Sequence, residues 1–99
     1  MSTAQQIIVH IDGYMQKFPN TKNSQWYVGI ASDVRQRLFS DHRVSEQLDG
    51  WAYMAADASG TARSVETAYH NAGCDGGPGG GDNTTTVVYT YLKSGRTDP

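Results

Sequence analysis

The residue types that could do chemistry in this chain gather in a few places. Arg35, Arg37 and Arg43 fall within nine residues and form its only basic cluster, a set able to meet phosphate oxygens. From Cys74 to Asn83 the sequence reads Cys-Asp-Gly-Gly-Pro-Gly-Gly-Gly-Asp-Asn, and a run so rich in glycine would let backbone N–H groups cradle a phosphate. It lacks the lysine and the following helix of a Walker loop, and it leads into a predicted strand, so the nucleotide-binding motif fails. The ordinary use of such a run is a tight connection in which Asp75, Asp82 or Asn83 turns the chain. Cys74 is the sole cysteine and has neither a second thiol nor a predictable histidine partner, which leaves it without a chemical role.

A longer pattern runs through Tyr27-Val28-Gly29-Ile30-Ala31-Ser32-Asp33-Val34-Arg35-Gln36-Arg37-Leu38. It resembles the second half of the signature of the GIY-YIG nucleases, in which a Tyr-Ile-Gly strand end leads through a capped turn into a helix bearing an inward arginine ten positions after the tyrosine. Arg37 stands at that position. The family often carries a histidine one turn later, to which His42 corresponds with one residue to spare, and a glutamate in the helix after the next strand, where Glu66 lies.

The resemblance implies a phosphodiester-cleaving domain. Tyr27, Arg37 and His42 would be catalytic, Glu66 would hold Mg²⁺ or Mn²⁺, and Gly29, Arg35, Gly79, Gly80 and Asn83 would contribute to binding. Such a set suits the reaction: a metal neutralises phosphate charge, an arginine meets the nonbridging oxygens, and a phenol or imidazole carries a proton. A single carboxylate is a sparse metal site, which the family completes with water and the phosphate itself.

No Gly-Ile-Tyr strand precedes Tyr27, and Gly13-Tyr14-Met15 falls in a stretch of helical period. A circular permutation would supply the strand from Val87-Val88-Tyr89-Thr90-Tyr91, with Tyr89 or Tyr91 as the second phenol. Each residue also has a plainer use. Tyr27 and Gly29 can serve strand packing, Arg37 can pair with Asp33 or Asp41 at helical spacing, and Glu66 can be a solvated helix residue. His10 and His70 are helix-face histidines with no assigned role.

The elements that must position these groups follow from pattern and punctuation. Apolar residues at helical intervals predict an N-terminal helix over Thr3–Phe18, stopped by Pro19. Gln25–Ala31, apolar on both faces, reads as a central strand. Ser32-Asp33 caps a helix from Val34 to about His42, and Trp51–Ala55 is a second strand. Ser59-Gly60-Thr61 caps a helix over Ala62–Ala72 with Gly73 as its C′ residue, and Thr84–Leu92 is the clearest strand, followed by a polar tail over 93–99.

The chain of 99 residues is read as one GIY-YIG-like domain, residues 1–99, of α/β class, with a three-stranded, mostly antiparallel sheet flanked by helices in the order α-β-α-β-α-β. A net charge of −2 argues against a protein held on nucleic acid by phosphate contacts alone. One cysteine, no apolar run long enough to span a bilayer and no basic leader predict a cytoplasmic protein without a membrane partner. The functional expectation is a metal-dependent nuclease. The alternatives are a noncatalytic module on the same fold, binding a nucleotide, nucleic acid or protein, and an interaction protein that forms a homodimer through a sheet edge or the apolar face of the first helix.

Overall fold

The computed structural model describes residues 2–77 and 84–99. Helix α1 spans Ala4–Met15 and opens on a capping box, in which the Thr3 hydroxyl accepts from the Gln6 N–H and the Gln6 side chain accepts from the Thr3 N–H. Its spacing turns Ile7 and Ile11 fully inward, with Ile8, Tyr14, Met15 and Phe18 packed around them. The α-helix stops before the predicted Phe18. Lys17 N–H bonds to Tyr14 O and Phe18 N–H to Met15 O, and these three-residue steps tighten the chain ahead of Pro19.

A 3₁₀ turn at Asn23–Gln25 leads into strand β1, Trp26–Ala31. A π helix over Gln36–Asp41 follows, then strand β2, Trp51–Ala55, helix α2, Ser59–Asn71, and strand β3, Val87–Leu92. The strands form one sheet in the order β1-β3-β2, and both pairings are antiparallel. The α/β class and the predicted element order therefore hold.

The apolar run of β1 predicts a central strand, yet the centre belongs to β3 and β1 is an edge. The reason lies outside the sheet. Asp75 N–H donates to Trp26 O at 2.8 Å, Val28 N–H donates to Asp75 O at 2.9 Å, and His70 Nε2 lies 2.8 Å from Val28 O. An edge whose polar groups are taken by a neighbouring loop and a histidine needs no polar sequence of its own.

Helix α2 begins at Ser59, ahead of the predicted start at Ala62, so the predicted cap residues lie inside its first turn; Ala58 is the N-cap and makes no side-chain cap bond. Its other end matches the sequence reading. Gly73 has φ +107°, Cys74 N–H bonds to Tyr69 O at 3.0 Å and Gly73 N–H to His70 O at 3.1 Å, a Schellman closure that needs a left-handed residue. Strand β3 begins at Val87 rather than Thr84, because β1 and β2 end at Ala31 and Ala55, the residues paired with Val87.

Strand alternation sorts the two faces. Trp26, Val28, Ile30 and Val88 meet α1 and α2, while Tyr27, Ala31, Tyr89 and Tyr91 meet Val34, Leu38 and Val44 around the π helix. Among the described residues no helix is long and apolar enough to cross a membrane.

Candidate active site

The second face carries the candidate residues. The β1–β3 register sets Tyr27 opposite Tyr91 and Gly29 opposite Tyr89. Tyr89 lays its ring across β1, and a β-carbon on Gly29 would stand 2.5 Å from the Tyr89 hydroxyl oxygen. Only glycine leaves room for the phenol there. Tyr27 stacks on Tyr91 with ring centres 5.2 Å apart at 17°, and on Tyr89 at 6.2 Å and 18°.

His42 closes this aromatic group, its ring 4.5 Å from that of Tyr27. Its Nε2 lies 2.7 Å from the Tyr89 hydroxyl, and its Nδ1 lies 2.8 Å from Asp98 O and 3.2 Å from the Tyr91 hydroxyl. A buried imidazole in such surroundings takes its tautomer from the fixed acceptor beside it.

The π helix explains how Arg37 and His42 share a side. Asp33 starts the turn, its carboxylate accepting from Gln36 N–H and its carbonyl from Arg37 N–H. His42 N–H then donates to Arg37 O at 2.9 Å, a five-residue step in place of the four of an α-helix. The one residue by which the Arg37–His42 spacing exceeds an α-helical turn is absorbed by that wider turn. Arg43, exposed and at φ +57°, ends it in the left-handed region, a conformation that costs a non-glycine residue about 1–2 kcal/mol.

Burial sets the electrostatics. It pushes the Tyr27, Tyr89 and Tyr91 phenols above their ordinary range, so they are neutral near pH 7. The Arg37 charge acts downward on both Tyr27 and Tyr89, while Asp75 and, more weakly, Glu66 act upward on Tyr27 and Glu66 acts upward on Tyr89. Burial also lowers His42, with the Arg37 charge acting the same way, and the imidazole is neutral. Glu66 is 9% exposed, and burial raises its carboxyl above the usual range. Among the described residues its carboxylate accepts no hydrogen bond and forms no ion pair.

Tyr27, His42, Tyr89 and Tyr91 are thus in direct contact, while Arg37 and Glu66 reach the phenols only through charge, Arg37 from the π helix and Glu66 from α2, the helix packed on the other face of the sheet. Arg37 is half exposed, with Asp41 3.6 Å away in a surface pair that constrains it little. Arg35 is not part of the group. It bonds Glu46 at 2.8 Å and lies over the Phe39 ring at 5.0 Å, toward the β2 side of the face. Gly29 is in the site, but as the floor under Tyr89 rather than an open binding position. Gly79, Gly80 and Asn83 lie outside the described residues.

Sequence reasoning misses Gly76 and Gly77 as individuals. The Gly77 N–H donates to the Tyr27 hydroxyl, and a β-carbon on Gly77 would sit 2.8 Å from that oxygen. A β-carbon on Gly76 would come within 2.0 Å of His70 Nε2. The glycine run signals a loop but does not reveal which glycines pass beside a side chain.

No protein-family profile, curated protein or solved structure matches the chain. The donor set is the remaining test of a divalent ion. Among the described residues no three or more of His, Cys, Asp and Glu are grouped as a metal cage. Glu66 nonetheless offers one buried hard oxygen donor that accepts no hydrogen bond among the described residues, which fits one protein ligand to an ion otherwise bound by water and phosphate.

Proposed function

We propose that the chain is a GIY-YIG-like domain that cleaves phosphodiester bonds in nucleic acid with Mg²⁺ or Mn²⁺, and that β3 replaces the Gly-Ile-Tyr strand by circular permutation. The observation that carries this reading is the contact group of Tyr27, Tyr89 and His42 beside the turn that bears Arg37. The antiparallel pairing of β3 with β1, which sets Tyr89 over Gly29, supports the permutation.

In this reading Glu66 would hold the ion, which would supply neutralisation of the phosphate charge. Arg37 meets a nonbridging oxygen and carries the charge that develops there. Tyr27, its oxygen already accepting from Gly77 N–H, keeps its own proton available to a substrate oxygen. Tyr89 and His42 form a second proton path, because a neutral imidazole can take the phenol proton as Tyr89 accepts one from the attacking water.

The depth of Tyr89 and Tyr91, whose hydroxyls are bonded internally, favours one second reading: a noncatalytic module in which the aromatic group is scaffold. The deciding assay incubates the purified protein with single-stranded, duplex and branched DNA and with RNA, with Mg²⁺, with Mn²⁺ and with chelator. Cleavage lost with chelator, in Glu66→Gln and in Arg37→Ala supports the nuclease. A folded protein that cleaves none of these substrates leaves the binding module, which a ligand-dependent rise in melting temperature without metal would then identify.

A further inference from the structure

The segment that follows β3 has no place in the mechanism above, yet it reaches the middle of the site. Asp98 and His42 form a two-way clip: Asp98 N–H donates to His42 O at 2.7 Å, and His42 Nδ1 stands 2.8 Å from Asp98 O. A carbonyl oxygen only accepts, so Nδ1 must carry the ring proton in this arrangement. Because the imidazole is neutral, Nε2 is then bare, and the hydroxyl 2.7 Å from it, that of Tyr89, must donate. With Nδ1 protonated, the Tyr91 oxygen can act toward it only as a second acceptor.

This clip is held by a local structure, not by two bonds alone. Ser94 N–H donates to the Thr97 hydroxyl, Thr97 N–H donates to Ser94 O, and Arg96 N–H donates to the Ser94 hydroxyl, which closes a turn. The turn is fastened to Asp49, whose nearly buried side chain accepts from the Arg96 guanidinium, the Ser94 hydroxyl at 3.2 Å and the Ser45 N–H at 2.8 Å. Asp49 therefore joins the loop before β2 to the segment after β3 and aims the Asp98 carbonyl at the imidazole.

We propose that Ser94–Asp98 is a positioning segment that fixes His42 in the Nδ1–H tautomer and thereby points the Tyr89 proton at Nε2. The proposal rests on the functional reading only for its consequence in catalysis, since the tautomer itself is set by bonds within the chain. Asp49 and Arg96 act through the segment, and Asp98 through its backbone; none of them touches substrate in this account. The same geometry implies that side-chain changes at Asp98 are tolerated while loss of its carbonyl is not.

The test is a two-bond proton–nitrogen correlation spectrum of the ¹⁵N-labelled full chain, read at the His42 ring near pH 7. Nδ1 should appear protonated and Nε2 unprotonated. The measurement is repeated on a chain shortened to end at Thr97 and on Arg96→Ala, with the backbone spectrum reporting that the fold is kept, and on Asp98→Ala, which leaves the carbonyl in place. The shortened chain should lose the single tautomer, Arg96→Ala should lose it in part, and Asp98→Ala should keep it. Protonated Nε2 in the full chain, or an unchanged Nδ1–H signature in the shortened chain, overturns the proposal. Cleavage measured on the same samples tests the functional reading separately. For a nuclease, kcat should fall at least about 10-fold in the shortened chain with KM unchanged, within the range expected when a proton carrier is misaligned. Absence of cleavage by the full chain would reject the nuclease while the ring spectrum still decides the role of the segment.

Discussion

The hydroxyl of Tyr89 occupies the space above Gly29 in which any other residue would carry its β-carbon, with the phenol oxygen 2.5 Å and its ring carbon 2.7 Å from that point. The two residues face each other across the β1–β3 ladder, so neither can move without breaking register. This pair decides where the second phenol lies, and with it the orientation of His42.

Gly29→Ala should therefore disturb the site rather than merely fill space. Tyr89 is 2% exposed and its hydroxyl is held by His42, so the cost expected from overpacking is about 1–3 kcal/mol. Chemical denaturation would show it as a lower midpoint with unchanged slope. A variant as stable as the parent would mean that the Tyr89 ring is not where this account puts it.

Glu66→Gln should separate stability from function. The folded-state pKa of Glu66 is raised, so folding favours the protonated form, and its stabilising contribution is complete below the unfolded value and lost as pH rises through the folded one. As pH rises through the raised folded value the carboxylate takes its charge in a buried position, and the neutral amide relieves that cost. The variant should melt higher than the parent at pH 7, with the gain shrinking toward pH 4, while any metal-dependent cleavage falls by at least about 100-fold. Thermal melts at the two pH values and a cleavage assay check both halves.

Gly77→Ala should destabilise the domain through Tyr27, because among the described residues the added carbon would meet only the phenol oxygen within 4 Å. Tyr27→Phe removes that oxygen. The double variant should recover much of the loss, with a coupling of about 0.5–3 kcal/mol in a double-mutant cycle. Strict additivity would place the clash elsewhere.

His42 predicts a pH dependence of definite sign. Its folded pKa is depressed by burial, so between the folded value and the unfolded value of about 6.5 the unfolded chain binds more protons. This residue's contribution is present above pH 6.5 and is lost as pH falls through that window. An NMR titration of the His42 ring should give a midpoint below that of a free imidazole, and Tyr89→Phe, which leaves Nε2 without its donor, should cost about 1–3 kcal/mol at pH 7.

Much of this molecule is legible in the amino-acid order, because short-range rules write it there. Helical spacing placed Ile7 and Ile11 inside, β-branched and aromatic runs placed all three strands, and a glycine after Ala72 marked the end of α2. The tyrosine, arginine and glutamate of the candidate site come from the resemblance to the GIY-YIG pattern, not from periodicity, which gives only the strand, turn and helices that carry them. Tertiary structure decided what local periods do not encode. Nothing in the composition of β1 tells an edge strand sealed by Asp75 and His70 from a central one, since burial looks the same whichever group satisfies the backbone. The π turn that sets His42 beside Arg37 depends on one inserted residue and on Arg43 accepting a left-handed conformation, choices made by packing. The approach of Gly77 to Tyr27 and of Asp98 to His42 joins residues 50 and 56 positions apart, and contacts of that separation leave no periodic trace in sequence because the distance between them is set only when the sheet closes.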